Sequence, residues 1–221
     1  DPKYTIAFYN RGAARSSLQD YQSAIEDFNK AIELNPNFKL AYYNRGHAKN
    51  NLQDYTSAIE DFDKAIELNP NYTLAYNNRG FSRIKLQDYQ SAIEDFNKAI
   101  ELDPIFSEAF YNRGAVKGQL QDYNGAIEDY NNTIELNPNH TAAYINRGAA
   151  KYQLQDFQSA IEDFDKAIEL NPNNTAAYIN RELAKNNLQD YQSAAVYYNR
   201  GVLKSNLKKY KSAIKDYNKA I

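Results

Sequence analysis

Seven copies of one five-residue phrase run through the chain: an aromatic residue, a variable residue, then Asn-Arg-Gly. Five of them keep a strict spacing, with Gly12, Gly46, Gly80, Gly114 and Gly148 each 34 residues apart. The sixth arrives on schedule but carries Glu182 in place of the glycine, and the seventh, at Gly201, follows only 19 residues later. A fixed period over most of a chain means that one supersecondary unit has been copied and stacked. Stacked units make one elongated domain with a continuous core, so function is to be sought on a surface built by repetition.

Composition narrows the classes. The net charge is −2 with mixed signs, so no broad electrostatic footprint for DNA or RNA is expected. No apolar run approaches the ~20 residues of a membrane span, so no membrane is expected as partner. Cysteine is absent, which excludes disulfides, cysteine nucleophiles and thiolate metal sites. The only histidines, His47 and His140, lie in different repeats, and no phosphate loop or nucleophile motif appears. The expectation is a protein that is not an enzyme, with no cofactor and no metal. The opening Asp1-Pro2-Lys3-Tyr4 reads like the end of a preceding repeat (compare Asp103-Pro104-Ile105-Phe106), as if the chain were part of a longer array.

Residues 39–72 show one unit. Ala41, Tyr42, Ala48 and Leu52 recur at helical spacing with Gly46 among them, and Gln53-Asp54 breaks the pattern. Asp54 is placed to cap a second helix, in which Tyr55, Ala58, Ile59, Phe62, Ala65, Ile66 and Leu68 recur at three and four. Glu60 and Lys64 are spaced for an exposed ion pair. Asn69-Pro70-Asn71 ends that helix, with asparagine suited to a left-handed cap, and Thr73 offers a cap for the next first helix, as do Thr5, Ser107, Thr141 and Thr175. Gly46 inside a helix costs ~1 kcal/mol relative to alanine, which implies a close helix approach, expected against Ala58.

The pattern aromatic-x-Asn-Arg-Gly … Leu-Gln-Asp-Tyr-x-x-Ala-Ile … Phe-x-x-Ala-Ile-x-Leu-x-Pro resembles the tetratricopeptide repeat, and the resemblance covers essentially the whole chain. It implies an all-α fold, a right-handed superhelical solenoid of antiparallel helix pairs whose first helices line a concave face. Two departures stand out. Arginine precedes each glycine position where the family usually has an apolar residue, and glutamine stands in the turn within a unit where the family often has glycine.

An aspartate follows each of five arginines by sixteen residues, which points to structural pairs Arg11–Asp27, Arg45–Asp61, Arg79–Asp95, Arg113–Asp129 and Arg147–Asp163. A mostly buried arginine without a partner costs several kcal/mol; the functional alternative is a grip on an acidic ligand. The asparagine column, including Asn44, Asn78, Asn112, Asn146 and Asn180, is costly in helices at ~0.6 kcal/mol per residue. By the resemblance it runs along the concave face, where carboxamides hold the backbone of an extended peptide, as in the tetratricopeptide domain of O-linked N-acetylglucosamine transferase. The alternative is that each amide bonds the neighbouring helix and sets the angle between repeats. Tyr43, His47, Asn77, Phe81 and Tyr111 vary beside the column and are the candidates for choosing peptide side chains. The family's two-carboxylate clamp needs lysines and an arginine where this chain has Tyr43, His47 and Leu74, so acidic chaperone tails are not expected as ligands.

The expected organisation is 1–4 as the end of a preceding repeat, then an array over 5–194. Its units are 5–38, 39–72, 73–106, 107–140, 141–174 and a truncated 175–194, followed by a partial unit at 195–221. The seventh phrase comes after 19 residues instead of 34, a deletion seam of 15. Either residues are missing there, or two helices have fused over Tyr191 to Leu207, which would send the last pair out of the stack. The expected function is a protein–protein interaction scaffold with a protein or peptide partner. The alternative is a structural array that forms a homo-oligomer through its open ends or a swapped C-terminal helix pair.

Overall fold

The computed structural model describes residues 2–206 and 209–221, so Asp1, Leu207 and Lys208 lie outside the described residues. The described residues form helices and turns with no strand. In chain order the helices are α1 (Pro2–Ser17), α2 (Tyr21–Leu34), α3 (Lys39–Asn51), α4 (Tyr55–Leu68), α5 (Thr73–Lys85) and α6 (Tyr89–Leu102). They continue with α7 (Ser107–Gln119), α8 (Tyr123–Leu136), α9 (Thr141–Gln153), α10 (Phe157–Leu170), α11 (Thr175–Asn206) and α12 (Tyr210–Ala220).

Two compact segments result, Asp1–Asn137 with α1 to α8 and Pro138–Ile221 with α9 to α12. In the first, each helix packs on the next, and α1, α3, α5 and α7 also touch in succession to form one layer. In the second, α9, α10 and α11 repeat that arrangement and α12 packs on α11. A stack whose repeats touch only neighbours can divide at any turn between repeats.

Each helix boundary has a local cause. Asp20, Asp54, Asp88, Asp122 and Asp156 cap the second helices, each accepting from the backbone N–H three residues on. The turn before each cap is a left-handed C-terminal motif: Gln19, Gln53, Gln87, Gln121 and Gln155 have φ between 62° and 64°. Asp54 N–H then donates to the Lys49 carbonyl (2.9 Å) and Gln53 N–H to the Asn50 carbonyl (3.0 Å). Glutamine thus takes the conformation that glycine adopts more cheaply.

Three local expectations give way. The caps of the later first helices stand one residue before the Thr or Ser named above: at Tyr72 and Phe106 without a side-chain bond, at His140 with Nδ1 accepting from Ala143 N–H (3.2 Å). Thr5 lies inside α1, and Thr175 is the first residue of α11, where Asn174 accepts from Ala177 N–H (3.1 Å). Asn35, Asn69 and Asn171 end their helices in an extended rather than left-handed backbone, because the following proline excludes the helical region. Lys64 pairs with Glu67 (2.7 Å) in the last turn of the helix instead of with Glu60.

The glycine slot is filled by a ring. A Cβ on Gly46 would come within 2.9 Å of Phe62 Cε1 and 3.2 Å of the Ala58 carbonyl; at Gly148 it would meet Phe164 Cε1 at 2.7 Å. The close approach is therefore to the edge of the second helix's aromatic, with the small alanine letting its backbone come near. The same alanines and rings form the buried core: Ala24, Phe28, Ala58, Phe62, Ala92, Phe96, Ala160 and Phe164.

At the seam α11 runs unbroken for 32 residues, passing straight through Gln189 and across the 194/195 boundary. It is longer than the fusion expected from Tyr191, because repeat 6 lacks both devices that fold a unit back on itself. Glu182 fills the glycine slot, and Tyr197 stands where the arginine's aspartate belongs. Both devices return sixteen residues apart at the next unit. Gly201 lies under Tyr217, Arg200 Nη2 bonds Asp216 (2.6 Å), and α12 turns back onto α11.

Candidate functional site

The arginine column joins helices in two directions. Within each repeat, Arg11, Arg45, Arg79, Arg113 and Arg147 donate from Nη2 to Asp27, Asp61, Asp95, Asp129 and Asp163 at 2.5–2.6 Å. Backward, Nη1 of Arg45, Arg79 and Arg113 reaches Asn29, Asp63 and Asn97 of the preceding second helix at 2.5–2.6 Å. Arg181, with no aspartate sixteen residues on, makes the backward bond, to Asp165 (2.8 Å), and adds Glu182 (3.2 Å). The guanidinium also lies 5.3–5.4 Å from the aromatic ring that opens its phrase, as at Tyr42, Tyr76 and Tyr144. A second cation four residues on, such as Lys49 or Arg83, closes on the same aspartate (2.7 and 2.8 Å). Burial lifts the Asp95 carboxyl above its usual range against the opposing pull of Arg79. The guanidiniums of Arg45, Arg79 and Arg113 are thus engaged on both sides by neighbouring side chains.

The asparagine column is oriented by the previous repeat. Asn44 Nδ2 donates to Tyr9 Oη (2.9 Å), Asn78 Nδ2 to Tyr43 Oη (2.8 Å), and Asn112 Nδ2 to Asn77 Oδ1 (3.0 Å). Asn78 also donates to the Leu74 carbonyl (3.1 Å), which uses both its amide protons. At Asn78 no amide proton is left to grip a peptide carbonyl, while Asn44 and Asn112 each commit one Nδ2 bond inside the stack. Asn146 lies half-buried on α9 and Asn180 half-buried on α11.

Of the variable residues, Tyr43 is packed rather than presented. Its ring lies 5.9 Å from Phe62 and 5.0 Å from Tyr72, and burial pushes its phenol pKa up. Tyr111 packs in the same way on Tyr130 (6.0 Å). Asn77 is buried as the acceptor for Asn112. His47 and Phe81 keep exposed surface; the surrounding walls desolvate the His47 imidazole and lower its pKa, and Lys85 lies 5.1 Å over the Phe81 ring.

These residues meet in an open cleft of about 480 Å³ along α3, α5 and α7. His47, Asn50, Asn77, Asn78, Phe81 and Asn112 line it, with Lys85 at its edge. Asn50 is itself fixed, accepting from the buried Ser82 hydroxyl (2.8 Å). Asn50, Asn51, Gln53, Tyr55 and Lys85 join the lining and were not among the sequence candidates; Asn51 donates to the His47 carbonyl (2.9 Å). Among the described residues no three His, Cys, Asp or Glu side chains converge as metal ligands, and no helix is long and apolar enough to cross a membrane.

The repeat geometry has a counterpart in known proteins. The tetratricopeptide repeat family model matches residues 5–38, 40–72, 73–106, 107–140, 141–174 and 194–221. The chain belongs to the tetratricopeptide repeat family. The model's matches leave out 175–193, the part of this tetratricopeptide protein where α11 runs through without folding back. No curated protein sequence matches the chain. Among solved structures, a MamA protein shares 25% identity over 77% of this chain and 93% of its own, with a TM-score of 0.70. A tetratricopeptide repeat protein from Parabacteroides merdae ATCC 43184, at 19% identity, shares the fold over 99% of this chain and 92% of its own, with a TM-score of 0.72. The first tetratricopeptide domain of Spaghetti (RPAP3), bound to the HSP90 peptide SRMEEVD, shares 30% identity over 53% of this chain and 93% of its own, with a TM-score of 0.52.

Proposed function

We propose that this tetratricopeptide protein is a non-catalytic protein-interaction scaffold that holds an extended, uncharged segment of a partner in the cleft of α3, α5 and α7. The carrying observation is the pair of amides in that cleft oriented from within the stack: Asn78, with both amide protons engaged, and Asn112, held through Nδ2, offer oxygens in fixed positions. Fixed acceptors suit backbone N–H groups of a strand-like peptide, since such bonds cost little reorganisation on binding. His47 and Phe81 then sort side chains. The peptide bound to the RPAP3 domain supports the use of a related repeat surface for a peptide. An acidic tail does not suit this cleft: Arg45, Arg79 and Arg113 are tied to aspartates, leaving Lys85 as the one lysine of its lining.

The test is selection of peptides on the intact chain by display, followed by titration. Selected sequences poor in Asp and Glu, whose binding weakens about tenfold with Phe81→Ala, support the reading. Selection of acidic tails, or binding indifferent to Phe81, counts against it.

A second reading is favoured by one contrast. Ile161 on α10 is 8% exposed, whereas Ile214, at the same register on α12, is 57% exposed, with Val196 and Tyr198 of α11 also open. Self-association would cover them. A mass of one chain in sedimentation at ~10 µM excludes it.

A further inference from the structure

A pattern of phenols and amides breaks at one place. One residue before each asparagine, a side-chain oxygen accepts from the asparagine 35 residues later: Tyr9 from Asn44, Tyr43 from Asn78, Asn77 from Asn112. In the second segment the register falls on Ile145, which has no oxygen, and Asn180, 35 residues on, makes no side-chain hydrogen bond among the described residues. The same exchange removes a ring. Tyr9 and Tyr43 stand 6.0 and 5.9 Å from Phe28 and Phe62, the aromatics of their own second helices, and each is flanked by Phe38 or Tyr72 at 4.9 and 5.0 Å. Beside Ile145 those places hold Phe164 and Asn174.

A cavity of about 240 Å³ opens between α9, α10 and α11 and has Phe164 and Asn180 of that register in its walls. Phe164, Tyr152 and Leu183 give it apolar walls, Ala149 gives it room, and the Asn180 and Gln153 amides supply polar ends. Its wall is held firm, since Tyr152 Oη accepts from Asn187 Nδ2 (2.9 Å) and the Tyr152 ring meets Phe157 edge-on at 5.4 Å. Pockets that hold drug-sized ligands run ~300–1,000 Å³, so this smaller volume suits one ring and not a larger molecule.

We propose that this cavity is a binding site for a phenol ring, supplied either by a tyrosine side chain of a partner or by a free phenolic molecule. The ring takes the space beside Phe164 that a tyrosine of the chain occupies beside Phe62, and its oxygen accepts from Asn180 Nδ2 as Tyr43 Oη accepts from Asn78. The site lies within the second segment and does not depend on the cleft of α3, α5 and α7.

The experiment titrates the full ¹⁵N-labelled chain with phenol, toluene, and the acetylated amides Gly-Tyr-Gly and Gly-Phe-Gly. Phenol is expected to shift the Asn180 side-chain amide, with toluene about two- to tenfold weaker, the worth of one hydrogen bond. Ile145→Tyr places the chain's own phenol in the register and is expected to abolish binding with the fold intact. Asn180→Leu is expected to erase the preference for phenol over toluene. A tyrosyl peptide binding tenfold tighter than phenol marks a partner's side chain as the source, and equal affinity marks a free phenol. Asn78→Ala leaves the phenol response unchanged, which separates this site from the cleft. No Asn180 shift at about 10 mM phenol, equal binding of toluene, or undiminished binding by Ile145→Tyr overturns the proposal.

Discussion

Arg181 reaches back 2.8 Å to Asp165 and has Tyr197 where an aspartate would stand sixteen residues ahead. Its counterpart Arg79 holds Asp63 behind and Asp95 ahead. The forward bond closes a repeat on itself, and the backward bond ties it to its predecessor. Where the forward bond and the glycine slot are both lost, as in repeat 6, the helix does not fold back and α11 continues to Asn206.

Restoring both should restore the turn. Glu182→Gly with Tyr197→Asp gives repeat 6 its slot and its partner. Amide exchange is expected to quicken about tenfold or more at residues 188–191, where the left-handed turn would interrupt the α11 ladder. Unchanged protection there would assign the straight helix to the shortened sequence alone.

Two glycines on one helix should respond with opposite signs. A Cβ on Gly114 would meet Tyr130 Cε1 at 3.0 Å and Asp129 Cβ at 3.1 Å, whereas one on Gly118 would find only Ala126 Cβ at 3.9 Å. Gly114→Ala is expected to lose about 1–3 kcal/mol by overpacking. Gly118→Ala is expected to gain up to about 1 kcal/mol from helix propensity. Denaturant midpoints at constant slope measure both.

Much of this was legible in the sequence because it is local. Asp54 announces a cap, Pro70 announces a stop, and the 34-residue period announces stacking. The asparagine partners were not legible, because Asn78 meets Tyr43 only through the contact of α5 with α3 and the packing of Tyr43 on Phe62 and Tyr72. The recurring 35-residue interval between an oxygen-bearing side chain and an asparagine was the available signal. Asn51 and Gln53 were missed for a similar reason: they enter the cleft where α3 ends and its turn begins, where helical spacing no longer reports direction.

The glutamine turns store a small strain. At φ 62°, Gln87 occupies a region costing ~1–2 kcal/mol for a residue with a Cβ, against ~0.5–1 kcal/mol of extra backbone entropy for glycine. Gln87→Gly is therefore expected to stabilise by about 0.5–1 kcal/mol, read as a rise in the thermal midpoint. A fall would place a compensating contact on the glutamine side chain.

Acid should loosen the C-terminal pair. Hydrogen bonds from Arg200 and Lys204 hold the Asp216 pKa well below the usual carboxylate range. A depressed pKa contributes stability that is complete above about pH 4, where the unfolded chain's aspartate is ionised, and is lost as pH falls through the folded value. Exchange in α12 is expected to quicken as pH falls below about 4, after correction for intrinsic rates, and Asp216→Asn is expected to flatten that dependence.

The central claim, that asparagine oxygens in the cleft hold a partner's backbone, is tested most directly by titrating one display-selected peptide into three chains: wild type, Asn78→Ala and Tyr43→Phe. Tyr43→Phe removes the bond that orients Asn78 but keeps the carboxamide, whereas Asn78→Ala removes the acceptor itself. The account predicts at least a tenfold loss of affinity for Asn78→Ala and less than about threefold for Tyr43→Phe, with similar drops of ~1 kcal/mol in stability for both. Equal affinities for all three chains, alongside those stability losses, would contradict it and leave the asparagines a purely architectural role.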